Sequence, residues 1–324
     1  MNILQKNSNG CPYLILAPME GVGDQCFRKA MASIGGFNEA VRDFLRVPSN
    51  AHVQSLAIRY QANEITPIPL AAQIMGSDIQ LMGDMAREMA IRGAPRIDLN
   101  CGCPSNTVTG RGAGSSLLKD PDHLYKVAHA MVNAVEIPVT AKLRSGFDDI
   151  SLFKENLLAA QESGIRYLTL HPRTKVEGYG PPARWDLIAE AKSLLKIPVV
   201  GNGDILTVDD ALNMLKITQC DALMIGRGSI INPFIFHQIQ AHFDGKHYER
   251  SWNGLQSYFN AYLDEMPPEM SEKTKVGKLK QLMNFLFKID PVLLEQRPAI
   301  LRFANHNVEA FLDEALPLLK AHFE

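Results

Sequence analysis

The sequence predicts an α/β fold: a closed (β/α)8 TIM barrel followed by a small all-α C-terminal domain. Three observations carry that expectation. Short apolar or β-branched runs recur eight times, most are followed by a segment of helical periodicity, and no reversal interrupts the alternation. A doubly wound open sheet is the structural alternative, and eight successive units favour closure over it.

The runs, in order, are YLILAPM (13–19), FNEAV (37–41), IPLAAQIMG (68–76), RIDLN (96–100), IPVTAKL (137–143), YLTLHP (167–172), IPVVGNG (197–203) and CDALMIG (220–226). Each looks like a strand of a parallel sheet, buried on both faces and therefore apolar on both. Between them, IQLMGDMAREMAIRG, DHLYKVAHAMVNAV, SLFKENLLAAQESG and VDDALNMLKI return an apolar residue every three or four positions, and glycine often closes the end. The stretch VPSNAHVQSLAIRYQANEI has no clear period, and its structure stays open. The barrel is expected over 1–243, a linker over 244–251 and a helical domain over 252–324. In the last, Leu255, Phe259, Tyr262 and Leu263 form one apolar stripe and Leu279, Leu282, Met283 and Leu286 another.

The 324 residues carry 33 basic and 35 acidic side chains, a net charge of −2, with 46% hydrophobic and 21% charged residues, as an ordinary packed soluble protein does. No apolar run approaches the roughly 20 residues that cross a bilayer, and the N-terminus lacks the basic region and cleavage site of a signal peptide. A cytoplasmic protein is expected, with no membrane contact. Nothing implies a protein partner, so a monomer is expected. Cys11, Cys26, Cys101, Cys103 and Cys220 are odd in number and mostly scattered, which favours free thiols over disulfides.

If the barrel forms, its active face lies at the strand C-termini. Gln73, Asn100, Cys103, Lys142, His171, Arg173, Asn202 and Arg227 gather there. GNGDI and IGRGSI bring unshielded backbone N–H groups to the ends of the last two strands, where barrels commonly hold a phosphate, and Arg227 adds a positive fork. Lys142 could form a Schiff base, hold negative charge on a cofactor ring, or sit in a salt bridge at the mouth. Gln73 offers a donor and an acceptor to a flat heteroaromatic edge. With the phosphate site, these suit flavin mononucleotide. The C-x-C pair lacks the further ligands that zinc needs, so no metal is expected. Cys103, before Pro104 at the exposed strand-to-loop junction, is the candidate for chemistry as nucleophile or acid, and Cys101 is a small buried hydrophobe.

Taken together, APMEG, DLNCGCPS, AKLRSGFDD, LHPRTKVEGY, GNGDI and MIGRG, in this order and at these spacings, resemble the tRNA-dihydrouridine synthases. The resemblance spans the barrel. It implies an enzyme that reduces the C5=C6 bond of a uridine in tRNA, with FMN as cofactor and NADPH or NADH as electron donor. Hydride would pass from reduced FMN to C6, and Cys103, as general acid, would give a proton to C5. Pro18, Met19, Glu20, Gln73, Lys142 and His171 match the family's residues around the flavin ring and ribityl chain, and Asn202, Gly203, Asp204, Gly226 and Arg227 match its phosphate end.

The nearest pattern within the family is the C-type, which modifies uridine 16 of the D-loop. By that likeness, Asn100 holds the uracil edge, and Arg46, Arg173, Tyr179 and Arg302 contact the tRNA. The run EKTKVGKLKQ adds Lys275, Lys278 and Lys280 as phosphate contacts, or as a solvated helix face. Two rivals remain: an FMN-dependent reductase of a free pyrimidine or enone, and a tRNA-binding barrel without redox chemistry.

Overall fold

The computed structural model describes residues 4–104, 112–180 and 182–323. Its strands are β1 (Tyr13–Leu16), β2 (Glu39–Val41), β3 (Leu45–Arg46), β4 (Leu70–Met75), β5 (Ile97–Cys101), β6 (Val139–Gly146), β7 (Leu168–Thr174), β8 (Val199–Asn202) and β9 (Ala222–Ile225). All pair in parallel, and the sheet closes because β1 pairs with both β2 and β9 while β2 pairs with β4. The open-sheet alternative is thereby excluded, and the fold is a (β/α)8 barrel with a helical C-terminal region.

β3 was not among the expected strands. It continues β2 along β4 after an irregularity: Val41 to Leu45 takes one residue more than Ala71 to Ile74 opposite, so the chain bulges there. The stretch without a clear period forms a single short helix, α2 (Val53–Ala57).

Helices α1 (Gln25–Ile34), α3 (Ile79–Ile91), α4 (Pro121–Ala134), α5 (Phe153–Glu162), α6 (Trp185–Leu194) and α7 (Val208–Thr218) follow their strands in turn. Asp24, Asp78, Asp120 and Thr207 begin α1, α3, α4 and α7, each side chain accepting from the N–H three residues on. After β9 come α8 (Arg227–Ile231) and α9 (Ile235–Phe243), then α10 (Trp252–Asp264), α11 (Glu272–Leu286), α12 (Pro291–Arg302) and α13 (Val308–Phe323). No helix among the described residues is long and apolar enough to cross a membrane.

Strand alternation divides the side chains into two cores. One set, including Leu14, Leu16, Leu99, Cys101, Leu168 and Leu170, packs under the helices. The other fills the barrel, and it is itself divided. Ile15, Ala17, Val41, Ala71, Val200, Ala222 and Met224 form an apolar group with Tyr167. Glu39, Arg96, Asp98 and Thr140 are equally buried but joined by hydrogen bonds.

The helical region docks beside the first barrel helix. α10 packs along α1. Gln25 Nε2 donates to Glu265 Oε2 at 2.8 Å, and Lys29 pairs with the same carboxylate at 3.2 Å. α11 lies against α8, which brings it to the face where the strands end.

Candidate active site

β5 delivers the cysteine turn. Its alternation sends Asp98 and Asn100 into the barrel and Leu99 and Cys101 toward the helices. Asn100 Oδ1 accepts from the N–H groups of Gly102 (3.0 Å) and Cys103 (2.9 Å), folding the chain back over the strand end. Ser115 Oγ holds the Cys103 carbonyl at 2.9 Å. The thiol is not on the open surface as expected: Cys103 is 6% exposed, packed with Met75, Ala113 and Phe44, and its Sγ donates to Glu20 Oε2 at 3.6 Å. Cys101 is 0% exposed, and burial, then the nearby Asp98, pushes its thiol well above the ordinary range. It is an inert core residue. Residues 105–111, the rest of this glycine-rich stretch, lie outside the described residues.

Cations crowd the mouth next to it. Lys142 and Arg144 project inward from β6, and Asn100 is the Cα partner of Lys142 across β5–β6. Lys142 Nζ donates to Asn202 Oδ1 at 2.9 Å, and Asn202 Nδ2 donates to the Met224 carbonyl at 2.8 Å. The salt bridge considered for Lys142 is not formed with any described carboxylate. Burial, then Arg144, lowers its pKa to about 8, against a smaller opposing effect of Asp98. His171 is pressed far below its ordinary value by burial and by Lys142, Arg144, Arg173 and Arg227, so it is neutral. Its Nε2 accepts from Arg173 Nη1 at 3.1 Å.

Arg173 is 2% exposed. Its guanidinium, expected to contact tRNA, is engaged by His171 and by Asp204 Oδ2 at 2.5 Å. Asp204 also accepts from Arg227 at 2.8 Å and from the Ala183 N–H at 2.9 Å. Burial alone would raise its pKa; the hydrogen bonds from Arg173 and Ala183, with the charges of both arginines, hold it below the usual range. Asp204 thus fixes two cations at the mouth.

The glycine turns have separate causes. Gly203 has φ +114°, and a Cβ there would stand 2.9 Å from His171 Cδ2, so only glycine lets the loop close over the imidazole. Gly228 lets α8 approach the β8 loop: a Cβ would fall 2.1 Å from the Ile205 carbonyl oxygen. Gly226 faces Met19, which draws the β1 and β9 loops together beside Pro18 and Glu20.

Gln73 is more deeply placed than the sequence reading held. It is fully buried, its Nε2 donating to Asp98 Oδ2 at 2.7 Å and its Oε1 accepting from Asn100 Nδ2 at 2.8 Å. Tyr179, in contrast, is 58% exposed, its ring held between the guanidinium of Arg144 (5.4 Å) and that of Arg227 (5.2 Å). Arg46 ends β3, beside Met75 on β4.

The remaining expected contacts lie on the helical region and do not form one free patch. Lys275 pairs with Glu272 at 3.6 Å, Lys278 with Asp24, and Lys280 donates to the Phe303 carbonyl. Arg302, at the end of α12, is exposed. Three basic residues near the mouth escaped the sequence reading. Arg144 was legible, two positions beyond Lys142 on one strand face. Lys288 and Arg297 were not: Lys288 is held below the ordinary lysine value by burial, then by Arg297 and Arg227, a proximity that only the tertiary fold creates.

The family model described as dihydrouridine synthase matches residues 15–310. The chain is 35% identical over 287 residues to the tRNA-dihydrouridine(16) synthase of Pseudomonas putida, covering 86% of this chain and 89% of that one. It is 33% identical over 300 residues to the protein of the same name from Ralstonia nicotianae, covering 90% and 92%. Among solved structures, a 2-naphthoyl-CoA reductase in complex with 2-naphthoyl-CoA superimposes with a TM-score of 0.53 at 12% identity, covering 72% of this chain and 50% of that one. That likeness is one of fold alone.

Proposed function

The chain belongs to the dihydrouridine synthase family, and from that premise we propose that it reduces uridine 16 of tRNA to dihydrouridine, using bound FMN recharged by NADPH. The observation that carries the reading is the placement of a thiol and an amine on adjacent strand ends: Cys103 follows Asn100, whose β6 partner is Lys142. The donor set fits a flavin. Lys142, Arg144, Arg173 and Arg227 outnumber the one carboxylate, Asp204, that bridges two of them, so the mouth suits an anionic group.

When bound, the flavin supplies hydride to C6 of the uracil. The chain's own residues do the rest. Lys142 would hold negative charge on the ring, and Arg227 with Gly203 and Gly226 would hold the phosphate. Neutral His171 adds an imidazole without adding charge. Cys103 is the proton donor to C5 in this reading, its Sγ donating to Glu20 Oε2 at 3.6 Å. Tyr179, 58% exposed beside Arg144 and Arg227, presents an aromatic edge to the tRNA, and Asn100 shapes the turn that carries Cys103. Residues 252–324 are the tRNA-binding unit in this reading, and Lys288, which feels the charge of Arg227, is one cation it brings toward the mouth.

The test separates the two halves of turnover. Cys103→Ala is expected to leave NADPH-driven flavin reduction intact while slowing tRNA reduction about 10²–10⁴-fold, as loss of a general acid does. Equal effects of Cys103→Ala and Cys101→Ala on tRNA reduction would overturn the assignment. Mapping dihydrouridine by mass spectrometry in tRNA from cells lacking the protein tests position 16.

A further inference from the structure

Asp98 touches none of the groups assigned to the flavin phosphate or the proton, yet it is fully buried and heavily bonded. Thr140 Oγ1 donates to its Oδ1 at 2.6 Å, Arg96 Nη1 lies 3.3 Å from the same oxygen, and Gln73 Nε2 donates to Oδ2 at 2.7 Å. An ionised carboxylate only accepts, whereas a side-chain amide can present either end. Facing Asp98, Gln73 must turn its NH2 downward and its oxygen toward Asn100. Asn100 must then give its NH2 to Gln73 and leave its own oxygen for the N–H groups of Gly102 and Cys103.

We propose that Asp98 is a positioning residue, which sets the direction of a hydrogen-bond relay through Gln73 and Asn100 and so fixes the turn that carries Cys103. The inference deepens the reading of Cys103 as the proton donor. Without the carboxylate both amides could flip, and a flipped Asn100 would point NH2 at two N–H donors. The turn would lose both of its side-chain bonds at once. Arg96 has a second acid, Glu39, bonded to its Nε at 2.8 Å, so removing the charge at 98 does not leave the guanidinium unpaired.

The experiment reads the turn itself in the flavin-loaded protein. Amide hydrogen exchange at Gly102 and Cys103, and the rate of iodoacetamide alkylation of Cys103, are compared across variants. Asp98→Asn and Gln73→Glu, made singly, are each expected to speed exchange at those two amides about tenfold or more, the order expected for a lost hydrogen bond. The double variant exchanges the two chemistries: the amide introduced at position 98 donates to the carboxylate introduced at position 73, which still accepts from Asn100. It is expected to return exchange and alkylation to near the wild-type rates. In Asp98→Asn, tRNA reduction should fall at least tenfold while NADPH still reduces the flavin.

Wild-type exchange in both single variants, or a double variant no better than the worse single one, would overturn the relay. Should a single variant fail to fold, the double variant decides alone, since a loosened turn there contradicts the proposal. Neither exchange nor alkylation involves tRNA, so an error about the substrate would leave these results standing.

Discussion

The lysines and arginines at the barrel mouth and those of α11 are the same residue types in opposite circumstances. At the mouth, Lys142, Arg144, Arg173 and Arg227 converge on a neutral histidine, and their one shared carboxylate, Asp204, serves two of them. On α11, Lys275, Lys278 and Lys280 each have a separate neighbour to hold: Glu272, Asp24 and the Phe303 carbonyl. The first arrangement leaves positive charge in excess in a partly dry space, where an anion gains most. The second disperses its charge into joints between helices. A basic run therefore says little about binding until its counter-groups are known.

The largest effect that could break this contrast belongs to Arg227. Replacing it with Ala removes the fork at the mouth and should weaken FMN binding to flavin-free protein about 10–100-fold, the range for a hydrogen bond to a charged group. Fluorescence titration measures it. An unchanged affinity would mean that the mouth cations neutralise each other's surroundings rather than a ligand.

Lys142 gives the contrast a pH signature. With its folded pKa at about 8 and an ordinary value of 10.5, the unfolded chain retains a proton that the folded chain has released across that window. Stability of the flavin-free protein should therefore rise with pH between about 8 and 10.5 on account of this residue. Lys142→Met should flatten that rise in thermal unfolding followed against pH. A slope identical to wild type would show that the amine is no more crowded than the lysines of α11.

Smaller still is the joint at Lys278. Lys278→Ala should cost about 1 kcal/mol or less in urea unfolding, as a partly exposed ion pair does, and Asp24→Ala should cost less in that background than in wild type, where it removes both the ion pair and the cap of α1. Finally, the salt dependence of tRNA binding should distinguish exposed from engaged cations. Arg302→Ala should lower the slope of log K against log salt by up to about one unit, and Lys280→Ala by clearly less. The reverse order would place the binding surface on the joints.

Much of this was legible in one dimension, and the exceptions share a cause. The strands showed themselves because burial on both faces forces apolar runs such as LAAQIM, with only Gln73 out of keeping. Cys101 and Cys103 share the parity of Leu99, so what told them apart was that Cys103 lies beyond the strand, before Pro104, while Asn100 has the opposite, barrel-facing parity. The same parity placed Asp98 beside Asn100, a signal present but unread. β3 was hidden because a bulge, with Arg42 and Asp43 beside it, breaks the alternation. The partners of Lys278 and Lys280 were beyond reach: Asp24 lies at the far end of the chain, and a backbone carbonyl such as that of Phe303 leaves no mark in composition. The burial of Arg173 depends likewise on Asp204, which reaches it only when two neighbouring strand ends meet.

The closure of the sheet also sets a timetable. Leu16 is the partner of Ile225, and α1 finds Glu265 only later still. At about 5–20 residues added per second, one edge of β1 waits about 10–40 s on the ribosome for the strand that covers it. Until then β1 and the newest strand each present a row of unpaired N–H and C=O groups, open to any other nascent edge nearby. A message that ends before the codon for Ala222 yields a chain that never escapes that condition, so premature termination late in this gene produces an aggregation hazard and not merely an inactive protein.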